Sequence, residues 1–164
     1  MKKLLAVLVD RGGRKASVVI LAIAACFANN VTRAETVTKV LKPDNIVVLS
    51  NGGVGLAQFY LLSTDFQPGT LTHPWKLQGI DWNTTSYLQS VGERVQLCFY
   101  PPFNSVTPVG CDDIQPNSSG TVSTFNDERF GNGTKVIIRH TITGSREPVS
   151  RPAGNDTLIF RFNK

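Results

Sequence analysis

Val95-Gln96-Leu97-Cys98-Phe99-Tyr100, followed across residues 101–109 by Gly110-Cys111-Asp112-Asp113-Ile114, is the stretch that decides the fold of this chain. In the first run Val95, Leu97 and Phe99 alternate with Arg94, Gln96 and Cys98, the period-two pattern of a strand with one buried face. The connecting residues include Pro101, Pro102 and Pro108, which lack a backbone donor and mark a loop rather than a ladder. A second cysteine then opens the return run. The reading is a β-hairpin with one cysteine on each strand.

The pairing of those cysteines depends on the third. Cys26 lies in an N-terminal segment with the layout of an export signal. Met1 to Lys15 is basic, Val18 to Ala25 is apolar and runs on to Ala28, and Thr32-Arg33-Ala34 offers small residues at a cleavage point before Glu35. The apolar run is shorter than the roughly 20 residues a membrane span needs. We expect residues 1–34 to be a signal peptide carrying a short signal helix, and residues 35–164 to be a single β domain. Cleavage after Ala28 is an alternative. So is acylation of Cys26, a candidate lipidation site, because Ile23-Ala24-Ala25-Cys26 has the form of a lipobox. In each case Cys26 leaves the soluble cysteine count, and Cys98 and Cys111 remain as a pair. An even count in an exported chain implies a disulfide. The loop it closes is short, worth about 3 kcal/mol in the chain-entropy picture.

Charge supports the same division. The formal net charge is +5, but six basic residues and only Asp10 fall within residues 1–34. The remaining 130 residues balance 11 basic against 11 acidic side chains. The mature domain therefore has no global electrostatic footprint for nucleic acid or for an anionic membrane.

Outward from the hairpin, β-branched and aromatic runs recur between turn signals. They are 46–50, 58–63, 71–80, 93–100, 110–114, 121–125, 134–143 and 157–162, with residues 35–43 as an extended lead-in. Asn51-Gly52-Gly53-Val54-Gly55 reads as a tight turn or flexible loop. In the run 71–80, Leu71, His73, Trp75, Leu77 and Gly79 share one side, and Pro74 makes the strand an edge strand or one that starts late. No window of the mature region shows apolar spacing at 3.6. The expected fold is all-β: an antiparallel β-sandwich (Ig-like) or small barrel of about eight short strands with one disulfide.

Chemistry is sparse. The two histidines, His73 and His140, are far apart in sequence, and no third and fourth ligand spacing suggests zinc. Asp112 and Asp113 are adjacent on a strand and point to opposite faces. No Gly-x-Ser-x-Gly elbow or phosphate-binding glycine pattern occurs. We expect no catalytic residue, no metal and no cofactor. Trp75 follows the strand alternation and belongs in the core. Trp82, between Asp81 and Asn83 in a stretch read as loop, is the best aromatic candidate for a partner surface, together with Pro101, Pro102 and Phe103 of the hairpin loop.

Trp75-Lys76-Leu77-Gln78-Gly79, Val95-Gln96-Leu97-Cys98, Cys111, Ser119-Gly120-Thr121 and a final strand with arginine and aromatics together resemble the FlhE family of periplasmic flagellar proteins, over roughly residues 70–164. The cysteine spacing is longer than in that family, and residues 126–133 and 144–155 add loop length. The resemblance implies a non-enzymatic accessory role in flagellar assembly or export, acting in the periplasm through protein binding, with other periplasmic or flagellar proteins as partners. It implies no nucleic acid, and a membrane only if Cys26 is lipidated. The alternative is a secreted or outer-membrane-lipoprotein module that recognises a glycan or host ligand.

Overall fold

The computed structural model describes residues 34–69, 74–104 and 106–164. The expected signal segment with Ala28 and Cys26, together with Leu71 and His73 of the expected third run, lies outside the described residues.

Among the described residues, eight strands of four or more residues build two sheets. They are β1 (Glu35–Leu41), β2 (Gly53–Tyr60), β3 (Trp75–Asn83), β4 (Arg94–Tyr100), β5 (Gly110–Ile114), β6 (Ser119–Val122), β7 (Lys135–Ile142) and β8 (Asp156–Asn163). The first sheet has the order β1-β8-β3-β6, and Arg129–Phe130 adds a short pairing to the start of β3. The second has the order β2-β7-β4-β5. Every pairing is antiparallel. The two sheets are open-edged layers over one core rather than a closed barrel, which decides between the two expected architectures.

The core follows from period two. Val95, Leu97 and Phe99 of β4 face Val136 and Ile138 of β7 within the second sheet, and Leu158, Phe160 and Phe162 of β8 project from the first; all are buried. Phenylalanines lock one part of this layer edge to face. The Phe66 and Phe162 rings lie 5.7 Å apart, and Trp75 and Phe162 lie 5.2 Å apart, both T-shaped, the geometry that the ring quadrupole favours.

Four expectations need correction, each for a physical reason. The lead-in Glu35–Leu41 is a full strand that pairs with β8 over its seven residues. Its only buried side chain is Val37, so it carries the weak hydrophobic signal of an edge strand. Gly52 does turn, with φ at +91°, but Gly53 and Gly55 are strand residues of β2. They are glycines because of close packing: a Cβ on Gly53 would run into the Ile46 side chain, and one on Gly55 into the Tyr87 hydroxyl. The run 46–50 shrinks to Ile46–Val47, paired with Val149–Ser150.

The fourth correction concerns Trp82. In the pairing of β3 with β8, Arg161 faces Gly79 and Phe162 faces Leu77, so the register slips by one at Gln78. A bulge of this kind inserts a residue and reverses the alternation beyond it. Trp75 and Leu77 point inward before the bulge, and Ile80 and Trp82 point inward after it. Trp82 is therefore a strand residue, and only 9% of it is exposed. Gly79 takes the positive-φ position of the bulge, and a Cβ there would meet Arg161 Nη2 at 2.5 Å.

Candidate functional site

The hairpin forms as its alternation requires. Cys98 and Cys111 are directly paired across β4 and β5 and joined by a disulfide. Cys98 sits on the outer face with Tyr100, Ile137 and Leu56, a small apolar cluster separate from the main core. Cys111 is exposed. In the loop beyond, Pro102 is buried, Pro101 half-buried, and Phe103 is 86% exposed with the Arg129 guanidinium 5.3 Å over its ring. Phe103 has φ at +67°, a left-handed conformation that an aromatic residue rarely adopts. Trp82, expected to share a surface with this loop, belongs to the other sheet.

A buried cluster of ionisable groups lies elsewhere, in a place the sequence reading missed. His140 faces inward from β7 and is completely buried. Its Nδ1 lies 2.9 Å from Glu93 Oε1, and its Nε2 lies 2.9 Å from Asp156 Oδ2. Glu93 precedes β4, and Asp156 opens β8 in the opposite sheet. Each carboxylate is held further. The Thr85 backbone N–H donates to Asp156 Oδ1 at 2.8 Å, and the Tyr87 N–H donates to Glu93 Oε2 at 3.0 Å. The Tyr87 hydroxyl donates to the Asp44 carbonyl, and its ring meets the His140 imidazole edge to face at 5.3 Å.

This geometry sets the protonation state. A neutral imidazole has one donor and one bare lone pair. Here both nitrogens face carboxylate oxygens, so only the imidazolium satisfies both. Burial pulls the His140 pKa down, but the hydrogen bonds from Asp156 and Glu93, and then their charges, outweigh it and raise it from 6.5 to about 9. Burial, followed by the charges of Asp156, Glu93 and Asp44, pushes the Tyr87 hydroxyl above its ordinary range. The cluster is two carboxylates on one imidazolium, spanning both sheets and the segment 85–93.

Such a centre can hold a proton; it is not arranged to transfer one to a substrate. General acid–base work requires a histidine nitrogen within reach of the reacting group, and both nitrogens of the completely buried imidazole are occupied. Ser90 Oγ, which joins this network through Glu93, donates to the Tyr87 carbonyl at 2.6 Å and lies 3.3 Å from Glu93 Oε2. It is bonded to the carboxylate and not to the imidazole, so no Ser–His nucleophile pair is formed. Among the described residues, no group of three His, Cys, Asp or Glu side chains is placed to hold a metal ion.

One sequence signal could have found the cluster. In β7, Val136, Ile138, His140 and Ile142 share the inward phase; in β8, Asp156 shares it with Leu158, Phe160 and Phe162. A histidine and an aspartate at core positions of two strands each need a partner, and each is the other's. Glu93, in a turn, gave no such signal.

The sequence matches no family model, and no curated protein matches it. Among solved structures, the crystal structure of FlhE is similar. The superposition has a TM-score of 0.52 at 14% identity and covers 80% of this chain and 98% of that one. At that identity the likeness shows the fold: this chain has an FlhE-like β-sandwich over nearly the whole of that structure.

Proposed function

We propose that this chain is a non-enzymatic, flagellum-associated accessory protein of the periplasm that acts by binding other proteins. The observation that carries the reading is the FlhE-like fold, which covers nearly the full length of that solved chain. Two features support it. The His140 imidazole is completely buried and paired at both nitrogens, as suits a structural role. The Cys98–Cys111 disulfide fits an oxidising compartment reached by export.

The test is genetic and has two parts. Deleting the gene should impair flagellation or swimming, and the full chain supplied in trans should restore it. A version lacking residues 1–34, retained in the cytoplasm, should not. Normal flagellation and motility in the deletion strain would remove the flagellar reading; rescue by the cytoplasmic version would remove the periplasmic one. Mass spectrometry of the mature N-terminus separates a start at Glu35 from an acylated Cys26.

A further inference from the structure

One end of the sandwich gathers exposed apolar side chains, well away from the His140 cluster. Strand β2 leaves its sheet there at Tyr60 and β4 at Tyr100, while β5 and β7 enter at Gly110 and Lys135. The loop between β4 and β5 projects beyond these strand ends. Its Phe103 and Val106 are each 86% exposed, and Val109 is half exposed. Leu62, also about half exposed, lies beside it. Leu61 accepts from the Gly133 N–H and donates to the Thr134 carbonyl, and a Cβ on Gly133 would come within 3.9 Å of the Phe103 nitrogen. The loop is tied down at its base. The disulfide joins the strands it connects, and Pro102 is buried.

Cations over aromatic rings are the second, independent observation. Three such contacts lie at this end. The Arg129 guanidinium is 5.3 Å from the centre of the Phe103 ring, the Lys135 ammonium 4.0 Å from that of Tyr100, and the Lys164 ammonium 5.6 Å from that of Trp75. Lys76, opposite Arg129 in the strand register, adds a further positive charge. Glu35, Asp127 and Glu128 share this end, so its charge is only weakly positive. Aliphatic side chains beside aromatic rings and long cations make up the chemistry of the bilayer interface. There the rings sit at headgroup level, and Lys and Arg reach the phosphates.

The chain also enters the sandwich at this end. Glu35 opens β1 opposite Phe162, and the next residue of β8, Asn163, faces Lys76. The candidate acylation site Cys26 lies eight residues before Ala34. That is at most about 28 Å of extended chain, so an acyl chain there would sit beside a bilayer docked on this end.

We infer that this end docks on a phospholipid bilayer, with Phe103, Val106 and Leu62 entering the acyl-chain boundary and Arg129, Lys135 and Lys76 meeting lipid phosphates. Apolar insertion carries most of the binding, because the charge is close to balanced. The opposite end also exposes Leu88 and Val91, but none of the three cation–ring contacts falls there. The inference needs no flagellar role; it needs only access to a membrane.

Phe103→Trp and Leu88→Trp put a reporter indole at each end of the full chain, against a background of buried Trp75 and Trp82. The probe is a vesicle of phosphatidylethanolamine and phosphatidylglycerol with bromine on the acyl chains, which quenches only indoles that enter the bilayer. The indole at position 103 should shift its emission to the blue and be quenched; the one at position 88 should do neither. An acyl chain at Cys26 would bring both variants to the vesicle, yet only insertion of this end distinguishes the two positions. Val106→Ser added to Phe103→Trp should raise the lipid concentration for half-quenching about tenfold, the loss of one buried aliphatic side chain. Urea midpoints close to that of the wild type keep the variants comparable. Absence of quenching at position 103 at every lipid concentration, or equal quenching at both positions, would overturn the inference. So would a photo-crosslinker at position 103 that captures a protein and no lipid in cells.

Discussion

Two devices cross-link this sandwich, and they are opposites. The Cys98–Cys111 disulfide is covalent, spans 13 residues of sequence, and joins strands that are already hydrogen-bonded neighbours in one sheet. The Glu93–His140–Asp156 cluster is ionic, links positions 47 and 16 residues apart, and ties β7 of one sheet to β8 of the other and to the turn before β4. The covalent link is local and partly redundant with the ladder beside it. The ionic link has no ladder to share its task, because sheets facing each other exchange no backbone hydrogen bonds. The stronger bond therefore need not make the larger contribution to stability.

That contrast can be broken at several points. The largest expected effect is from Asp156→Ala, which leaves the buried imidazolium with one carboxylate in place of two, its Nε2 side unpaired, and removes the acceptor of the Thr85 N–H. Removing one partner of a buried charged pair costs about 3–5 kcal/mol, to be read as the shift in urea-unfolding free energy at neutral pH. A loss below about 1 kcal/mol would mean the cluster is not the tie between the sheets.

Next comes pH. The folded pKa of His140, about 9, stands above its unfolded value of 6.5. Its contribution to stability is then fully present below pH 6.5 and is lost as pH rises through about 9. The gap corresponds to on the order of 3 kcal/mol. Denaturant midpoints should fall between pH 6.5 and 9 in the wild type, and His140→Leu should flatten that fall while lowering stability throughout.

The disulfide should matter less than Asp156. Cys98→Ser with Cys111→Ser should cost about 2–3 kcal/mol at most. Faster hydrogen exchange should be confined to residues 94–114 and leave β7 and β8 protected. Exchange spreading into β8 would make the hairpin the keystone instead.

Gly55→Ala should cost about 1–3 kcal/mol, because the new methyl displaces the Tyr87 ring that covers His140. Thermal melts would register this, and a neutral result would mean that Tyr87 can move freely. The smallest stability effect belongs to Phe103→Ser. The side chain is largely exposed, so stability should stay within about 0.5 kcal/mol. If the hairpin loop is a partner surface, cross-linking to partners in the periplasm should drop in that variant, and unchanged cross-linking would remove Phe103 from that surface.

The two devices also differ in how legible they were. The disulfide could be read because cysteine has few roles and the count was small. The alternation of β4 could be read because Val95, Leu97 and Phe99 leave no ambiguity of phase. The cluster was hidden because its members are common residues whose meaning lies in which face they occupy. For His140 and Asp156 that face follows from strand phase; for Glu93 it depends on how a turn folds over. Trp82 was misplaced because a one-residue bulge at Gln78 is invisible to a periodicity argument. Gly53 and Gly55 were misread because glycine serves both positive φ and close approach, and only the neighbours Ile46 and Tyr87 tell which.

The measurement that bears most directly on the cluster is the titration of the His140 imidazole by nitrogen NMR, assigned by loss of its signals in His140→Gln. We expect both ring nitrogens to remain protonated through neutral pH and to titrate near pH 9, as a buried structural centre requires. Titration near 6.5, with one nitrogen bare at neutral pH, would contradict this. It would show an imidazole open to solvent, and an acid–base role for His140 would have to be considered afresh.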